Sequence, residues 1–192
     1  HDAWVQERLR YFGVDIWGVQ RKPGWKTSSS IVLTREDGSR PALHMKGATS
    51  NFFVTDEMIP RAVDTKVFHA GGVGLMDAMD KGQTAVVMKA AKAKGATTTV
   101  DVFAGSPKDL PAIELVLPYT DYFMPSIEEA QALCGLTDHG DTAKFFLDMG
   151  VTACVLTLGG DGAYYHDRHG AKFHVPAYDI TVKCTCGCGD AF

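Results

Sequence analysis

From residue 66 to residue 158 the chain alternates short β-prone runs with helix-forming stretches, and that rhythm admits few folds. Strands separated by a helix cannot pair as hairpins; they lie parallel, joined by crossovers, in a sheet covered by helices. Lys66 to Ala70 reads as a buried strand ending at Gly71-Gly72, and Gln83 to Lys94 as a strong helix former stopped by Gly95. Thr97 to Phe103 is rich in β-branched residues and predicts the next strand. Residues 110–117 read as helical, and Asp121 to Met124 as a short strand before Pro125. Ser126 then caps a helix with Glu128 and Glu129 in its first turn, ending near Gly135. Asp141 opens a further helix that closes at Gly150, and Thr152 to Leu158 is the clearest central strand. In open α/β sheets ligands sit outside the carboxyl ends of the strands. The loops after His69, Phe103, Met124 and Leu158 are therefore expected on one rim, together with the turn at 187–190.

The flanks read differently. Residues 2–12 predict a helix closed by Gly13, with Trp4, Val5, Leu9 and Phe12 near one face. Ser28 to Thr34 and Pro41 to Met45 predict two strands around Glu36-Asp37-Gly38-Ser39, a strong hairpin signal. A short helix is expected over 55–63, with Thr55 as its cap. Beyond the central strand, Ala163 to His166 and Lys172 to Val175 flank a His-Gly turn and predict a second hairpin, stopped by Pro176. A chain of 192 residues suits one domain, able to bury roughly 70% of its unfolded surface. No apolar run approaches the ~20 residues that span a bilayer. Helical character from the first residues, and an end two residues after Asp190, read as truncations at both ends.

The last nine residues, Cys184-Thr185-Cys186-Gly187-Cys188-Gly189-Asp190-Ala191-Phe192, narrow the chemistry. A Gly-x-Gly-Asp run feeding a helix lets successive backbone N–H groups converge on one spot, where the helix adds its positive end. A carboxylate, Asp190, stands at the rim of that anion nest. An anion cradle beside a base suits phosphoryl transfer to a hydroxyl. The net charge of −4 gives no general attraction to nucleic acid or to an anionic membrane. Of the five cysteines, Cys134 and Cys154 fall in apolar stretches and read as buried thiols. Cys184, Cys186 and Cys188 lack the CxxC spacing of a zinc site, so reduced thiols in a cytoplasmic setting are the better reading. Gly71-Gly72-Val73-Gly74 lacks the spacing of a dinucleotide fingerprint.

Three segments, taken in order, carry a resemblance. They are Pro125-Ser126-Ile127-Glu128-Glu129-Ala130, Thr157-Leu158-Gly159-Gly160-Asp161-Gly162-Ala163 and Thr185-Cys186-Gly187-Cys188-Gly189-Asp190-Ala191-Phe192. They resemble the Asn-x-x-Glu stretch, the nucleotide loop and the closing motif of the ribokinase-like carbohydrate kinases, the PfkB family. The departures are Ser126 for asparagine, Cys184 for aspartate, Cys186 for threonine and Cys188 for alanine. The resemblance implies a ribokinase-like three-layer α/β/α fold with a mostly parallel central sheet and a small β lid. It places 1–192 in one domain, with 28–48 contributing to the lid and substrate region. The implied activity is ATP-dependent phosphorylation of a hydroxyl of a small carbohydrate. The implied roles are a base for Asp190 and an anion hole for Gly187, Cys188 and Gly189. Thr157, Gly159, Gly162 and Thr185 would contact the nucleotide, and Glu129 would manage Mg²⁺ through water. A homodimer formed through the lid is compatible with the resemblance. The 192-residue stretch alone is expected to be inactive, because the Gly-rich sugar-binding segment and the adenine pocket are not in it.

Each residue has a plainer structural reading beside these. Asp190 and Glu129 are acidic residues in first helical turns, the 187–189 run is a turn, and 159–162 joins a strand to a hairpin. Asp101 either faces the pocket or is a solvated residue at a strand end. The alternative within the same family is a nucleoside acceptor. A nicotinamide-dependent oxidoreductase and a non-catalytic nucleotide-binding remnant are the readings from other classes.

Overall fold

A computed structural model of the chain describes residues 2–33, 35, 41–103, 105–182 and 187–192. Helix α1 (Asp2–Tyr11) leads through loops to a hairpin of β1 (Ser29–Val32) and β2 (Ala42–Met45), paired from Ser29↔Met45 to Val32↔Ala42. The predicted Asp-Gly turn between them lies outside the described residues. Both strands are exposed along their length. The base of the hairpin is tied to the body by the Lys46–Asp77 ion pair at 2.6 Å and by Ala78 N–H donating to the Ser50 carbonyl.

The main sheet has six strands laid side by side in chain order. They are β3 (Val67–Val73), β4 (Thr97–Val102), β5 (Tyr122–Phe123), β6 (Ala153–Thr157), β7 (Ala163–Asp167) and β8 (Lys172–Val175). The first four run parallel, and the β6–β7 and β7–β8 pairings are antiparallel, so the sheet is mostly parallel as the alternation predicts. The helices between the parallel strands are α3 (Gln83–Ala93), α4 (Leu110–Glu114), α5 (Ile127–Cys134) and α6 (His139–Asp148). One buried cluster joins them to the sheet, from Met88 on α3 through Val100, Ile113 and Phe123 to Phe146 on α6. Phe123 and Phe146 meet at 4.7 Å between ring centroids near its centre. Strand β4 shows the underlying alternation: Thr98, Val100 and Val102 are buried in this core, while Thr97, Thr99 and Asp101 stand half-buried on the other face.

The structure refines several expectations. The helix expected over 55–63 is reduced to α2 (Ile59–Ala62), entered through Met58 with no side-chain cap, so Thr55 is not its cap. Pro60 in its first turn supplies the start instead. Helix α6 begins at His139 because Asp138 caps it, its carboxylate accepting from Asp141 N–H at 2.9 Å. Strand β3 runs on through Gly71 and Gly72 with a register shift between Ala70 and Val73, and its burial alternates. The reason is its position: β3 is the edge strand of the described sheet, where one flank has no partner strand. Cys154 is fully buried whereas Cys134 is only half-buried. No helix among the described residues is long and apolar enough to cross a membrane.

Phe146 sits on α6 with its ring fully buried against Phe123 of the sheet, so truncating it leaves a cavity. Phe146→Ala is expected to lower unfolding stability by about 3–5 kcal/mol, measured by denaturant titration followed by far-UV circular dichroism.

Candidate active site

Parallel strands deliver their carboxyl ends to the same edge, and a cleft of about 800 Å³ opens there. Its walls come from the ends of β3, β4, β5 and β6 and from α7 (Cys188–Ala191). Thr157, the last residue of β6, lies in the cleft and bridges in parallel to Ser126 on the next loop. Of the rim expected from the alternation, His69, Phe103, Met124 and Asp190 line the cleft, whereas the loop after Leu158 does not.

Helix α7 exists because Gly187 takes a left-handed conformation, φ +80°, that residues with a side chain rarely adopt. From there the chain closes one turn, Ala191 N–H donating to the Gly187 carbonyl at 3.0 Å. That turn places Asp190, exposed, at the mouth of the cleft beside Gly189. Gly187 and Cys188 belong to the same turn but do not line the cleft. Thr185, with Cys184 and Cys186, lies outside the described residues.

Glu129 also lines the cleft, and its position follows from a capping box. The Ser126 hydroxyl accepts from Glu129 N–H at 3.3 Å, while Oε2 of Glu129 accepts from Ser126 N–H at 3.1 Å and Oγ–H at 2.8 Å. The serine that departs from the family asparagine thus performs the helix start by itself. Helix-start chemistry and the proposed metal-managing position share one carboxylate. Among the described residues no cluster of three His, Cys, Asp or Glu side chains could hold a metal ion unaided.

Gly159 and Gly162 form the turn between β6 and β7 and do not line the cleft. Gly162 has φ +96°, and a Cβ there would run into the Val175 carbonyl and Pro176. Leu158 N–H closes the turn on the Gly162 carbonyl at 2.8 Å. The hairpin therefore accounts for Gly162 locally, and among the described residues Thr157 alone of the expected nucleotide contacts lines the cleft.

The sequence reading marks the loops after His69 and Phe103 as rim loops but gives neither side chain a role, and it does not single out Thr99, which also lines the cleft. A period-two reading of 97–101 would have put Thr99 and Asp101 on one face, but only the pairing of β3 with β4 sets His69 across from Thr99. Asp101, left open from sequence, does face the cleft. Burial pushes its carboxyl above the usual range; the Val102 N–H and nearby His69 oppose this, and the charge of Asp190 adds to it. A second cavity of about 500 Å³ lies between the 15–19 loop, β3 and α3. Arg61 is held there over the Trp17 ring at 4.5 Å and paired with Asp15 at 2.8 Å.

Residues 3–192 match the pfkB family of carbohydrate kinases, and the chain belongs to that family. It is 24% identical to a ribokinase of Schizosaccharomyces pombe over 96% of its own length and 58% of that protein. It is 25% identical to an aminoimidazole riboside kinase of Salmonella typhimurium over 94% of its own length and 58% of that protein. A crystal structure described as a ribokinase II of E. coli in complex with ATP and Mg²⁺ superposes with a TM-score of 0.75 at 26% identity. That match covers 96% of this chain and 61% of the other. The fold is ribokinase-like α/β, and the chain spans about three fifths of the length of the curated relatives it matches.

The raised Asp101 carboxyl has a consequence for stability. A carboxyl whose folded-state pKa is raised favours the folded state when protonated; that contribution is complete below the unfolded value, roughly pH 4, and is lost as pH rises through the raised folded value. Asp101→Asn is therefore expected to gain stability relative to the unchanged protein as pH climbs out of the acid range. Thermal melts between pH 3.5 and 8 check this; parallel curves for the two proteins would contradict it.

Proposed function

We propose that the protein transfers the γ-phosphoryl group of ATP to a hydroxyl of a small carbohydrate, in a single domain whose 28–48 hairpin is a lid. The observation that carries this reading is Asp190 at the mouth of the cleft, on a turn of backbone amides at the carboxyl edge of the parallel sheet. Family membership supports it, as do relatives named as kinases of ribose and of a riboside.

In this reading the acceptor oxygen bonds to the γ-phosphorus while the bond from phosphorus to the β–γ bridging oxygen breaks, and ADP leaves. The hydroxyl proton passes to Asp190. In a loose transition state that transfer comes late, so Asp190 acts first by orienting the hydroxyl. The N–H of Gly189, which lines the cleft, stabilises charge on the phosphoryl oxygens as it moves; the N–H groups of Gly187 and Cys188 are assigned to the same role by family pattern. Thr157 contacts the nucleotide from the end of β6; Gly159, Gly162 and Thr185 are assigned to it by family pattern. Mg²⁺, when bound, neutralises the phosphate oxygens, and Glu129 fits as the carboxylate that holds it through water, since it lines the same cleft. A neighbour described with ATP and Mg²⁺ supports both cofactors. Exposed Ile31 and Leu43 on the lid favour a homodimer formed through it, and free thiols at Cys134, Cys154 and Cys188 suit a reducing cytoplasm. A nucleoside acceptor is the second reading, favoured by the riboside kinase relative.

In the full-length protein, Asp190→Asn is expected to cut sugar-dependent ADP release by about 10²–10⁴-fold with the fold intact. Turnover equal to that of the unchanged protein would end the assignment. ATP with Mg²⁺ is expected to raise the melting temperature, and NAD to leave it unmoved; protection by NAD alone would favour an oxidoreductase.

A further inference from the structure

Outside the phosphoryl-transfer machinery, one carboxylate ties two parts of the molecule together. Strand β3 ends at Val73, and the chain turns back through residues 74–82 before α3. Gly74 N–H donates to Oδ2 of Asp80 at 3.1 Å, and Asp80 N–H donates to the Met76 carbonyl at 2.9 Å. These two bonds close the segment on itself, with half-buried Asp80 as the clasp. Burial pushes its carboxyl above the usual range; the Gly74 and Met76 N–H groups oppose this, the charge of Asp77 adds to it, and Lys46 opposes it.

The clasped segment faces two ways. Toward the cleft, Gly72 and Leu75 line the wall, and Leu75 N–H donates to the Gly72 carbonyl at 3.0 Å. Gly74, at φ +99°, packs so closely on the end of β4 that a Cβ there would lie 2.6 Å from the Phe103 carbonyl oxygen. Phe103 N–H in turn donates to the Val73 carbonyl at 2.8 Å. Toward the base of the β1–β2 hairpin, Asp77 pairs with Lys46, and Ala78 N–H donates to the Ser50 carbonyl at 3.2 Å. Buried Met79 accepts at Sδ from Val54 N–H at 3.3 Å. Leu75 on the cleft side and Asp77, Ala78 and Met79 on the hairpin side all lie between Gly74 and Asp80.

We propose that Asp80 is a positioning residue: by holding Gly74, it sets the β3 side of the cleft and the seat of the hairpin base as one unit. Its effect on turnover rests on the kinase reading above, whereas the coupling of the two regions rests on these contacts alone. Gly72 and Gly74 both hold left-handed φ values, and glycines give the segment little rigidity of their own. A hydrogen bond to a charged acceptor is stronger than one to a neutral group, so a carboxylate suits the clasp. Thr157, assigned to the nucleotide, ends β6, three strands away from β3. Loss of the clasp therefore reaches the acceptor side of the cleft before the nucleotide side.

The test compares Asp80→Ala, Asp80→Asn and Lys46→Ala in the full-length protein, by amide hydrogen exchange read with mass spectrometry and by ADP release. Asp80→Ala is expected to speed exchange about tenfold in both 71–78 and 42–52, with 141–157 unchanged. Asp80→Asn keeps an acceptor oxygen and is expected to restore protection to within about threefold of the unchanged protein. In turnover, Asp80→Ala is expected to raise the acceptor KM about fivefold or more, with the KM for ATP within about twofold. Lys46→Ala is expected to speed exchange in 42–52, and to add nothing there in the Asp80→Ala background. Loosening of 71–78 alone or of the whole chain, or no rescue by Asp80→Asn, overturns the proposal. So does an unchanged acceptor KM in Asp80→Ala when the unchanged protein is an active kinase. Should Asp80→Ala fail to fold, Lys46→Ala decides: faster exchange in 71–78 as well as 42–52 supports the coupling, and in 42–52 alone overturns it. If the unchanged protein phosphorylates no hydroxyl acceptor, the kinase reading falls, and the exchange measurement by itself judges the clasp.

Discussion

Parallel pairing is the constraint on which the rest of this molecule depends. The registers Val67↔Thr97, Thr99↔Tyr122 and Tyr122↔Ala153 set four strand ends side by side. Parallel strands need crossovers, and each crossover returns the chain to the amino edge, so every carboxyl end opens at the same rim. Loops far apart in sequence, from the end of β3 at His69 to the turn at Asp190, therefore share one cleft. Packing of Phe123 against Phe146 and of Met88 beneath β4 holds that edge in shape. Without the buried cluster the polar residues at the rim would have no fixed relation to one another.

Local structure and the candidate chemistry use the same atoms at two places. Ser126 and Glu129 satisfy helix-start donors reciprocally and in doing so fix a carboxylate in the cleft. Gly187 spends its freedom on a left-handed turn that starts α7 and sets Asp190 at the mouth. Each would be explained by helix-start physics even without a ligand. What raises them above that reading is that the two starts, from segments about 60 residues apart, face one another across a single space.

The electrostatics of that space follow from its construction. Half-buried Asp101 meets Asp190 across the cleft, with His69 nearby as a counterweight. The β1–β2 hairpin reaches this region through the contact of His44 with Phe103, and its base is anchored by Lys46 on Asp77. The ion pair is exposed on both sides, so it is a weak tether.

Much of the architecture was legible in the chain because it rests on local signals. Glycines at 95 and 135 stop helices, Ser126 caps one, and β-branched residues at 97–102 pair as strand β4. The Gly-x-Gly-Asp run likewise announces a turn with a carboxylate beside it. Where local signals compete, the reading failed: Thr55 lost to Pro60 at the start of α2, and β3 proved to be a half-exposed edge strand. Tertiary structure alone decided that His69 meets Thr99, that Gly162 packs into a hairpin away from the cleft, and that Phe103 faces the lid. Periodicity and caps depend on neighbours a few residues apart, which a sequence displays. Register and cleft membership depend on which strands lie side by side, and only the folded sheet sets that.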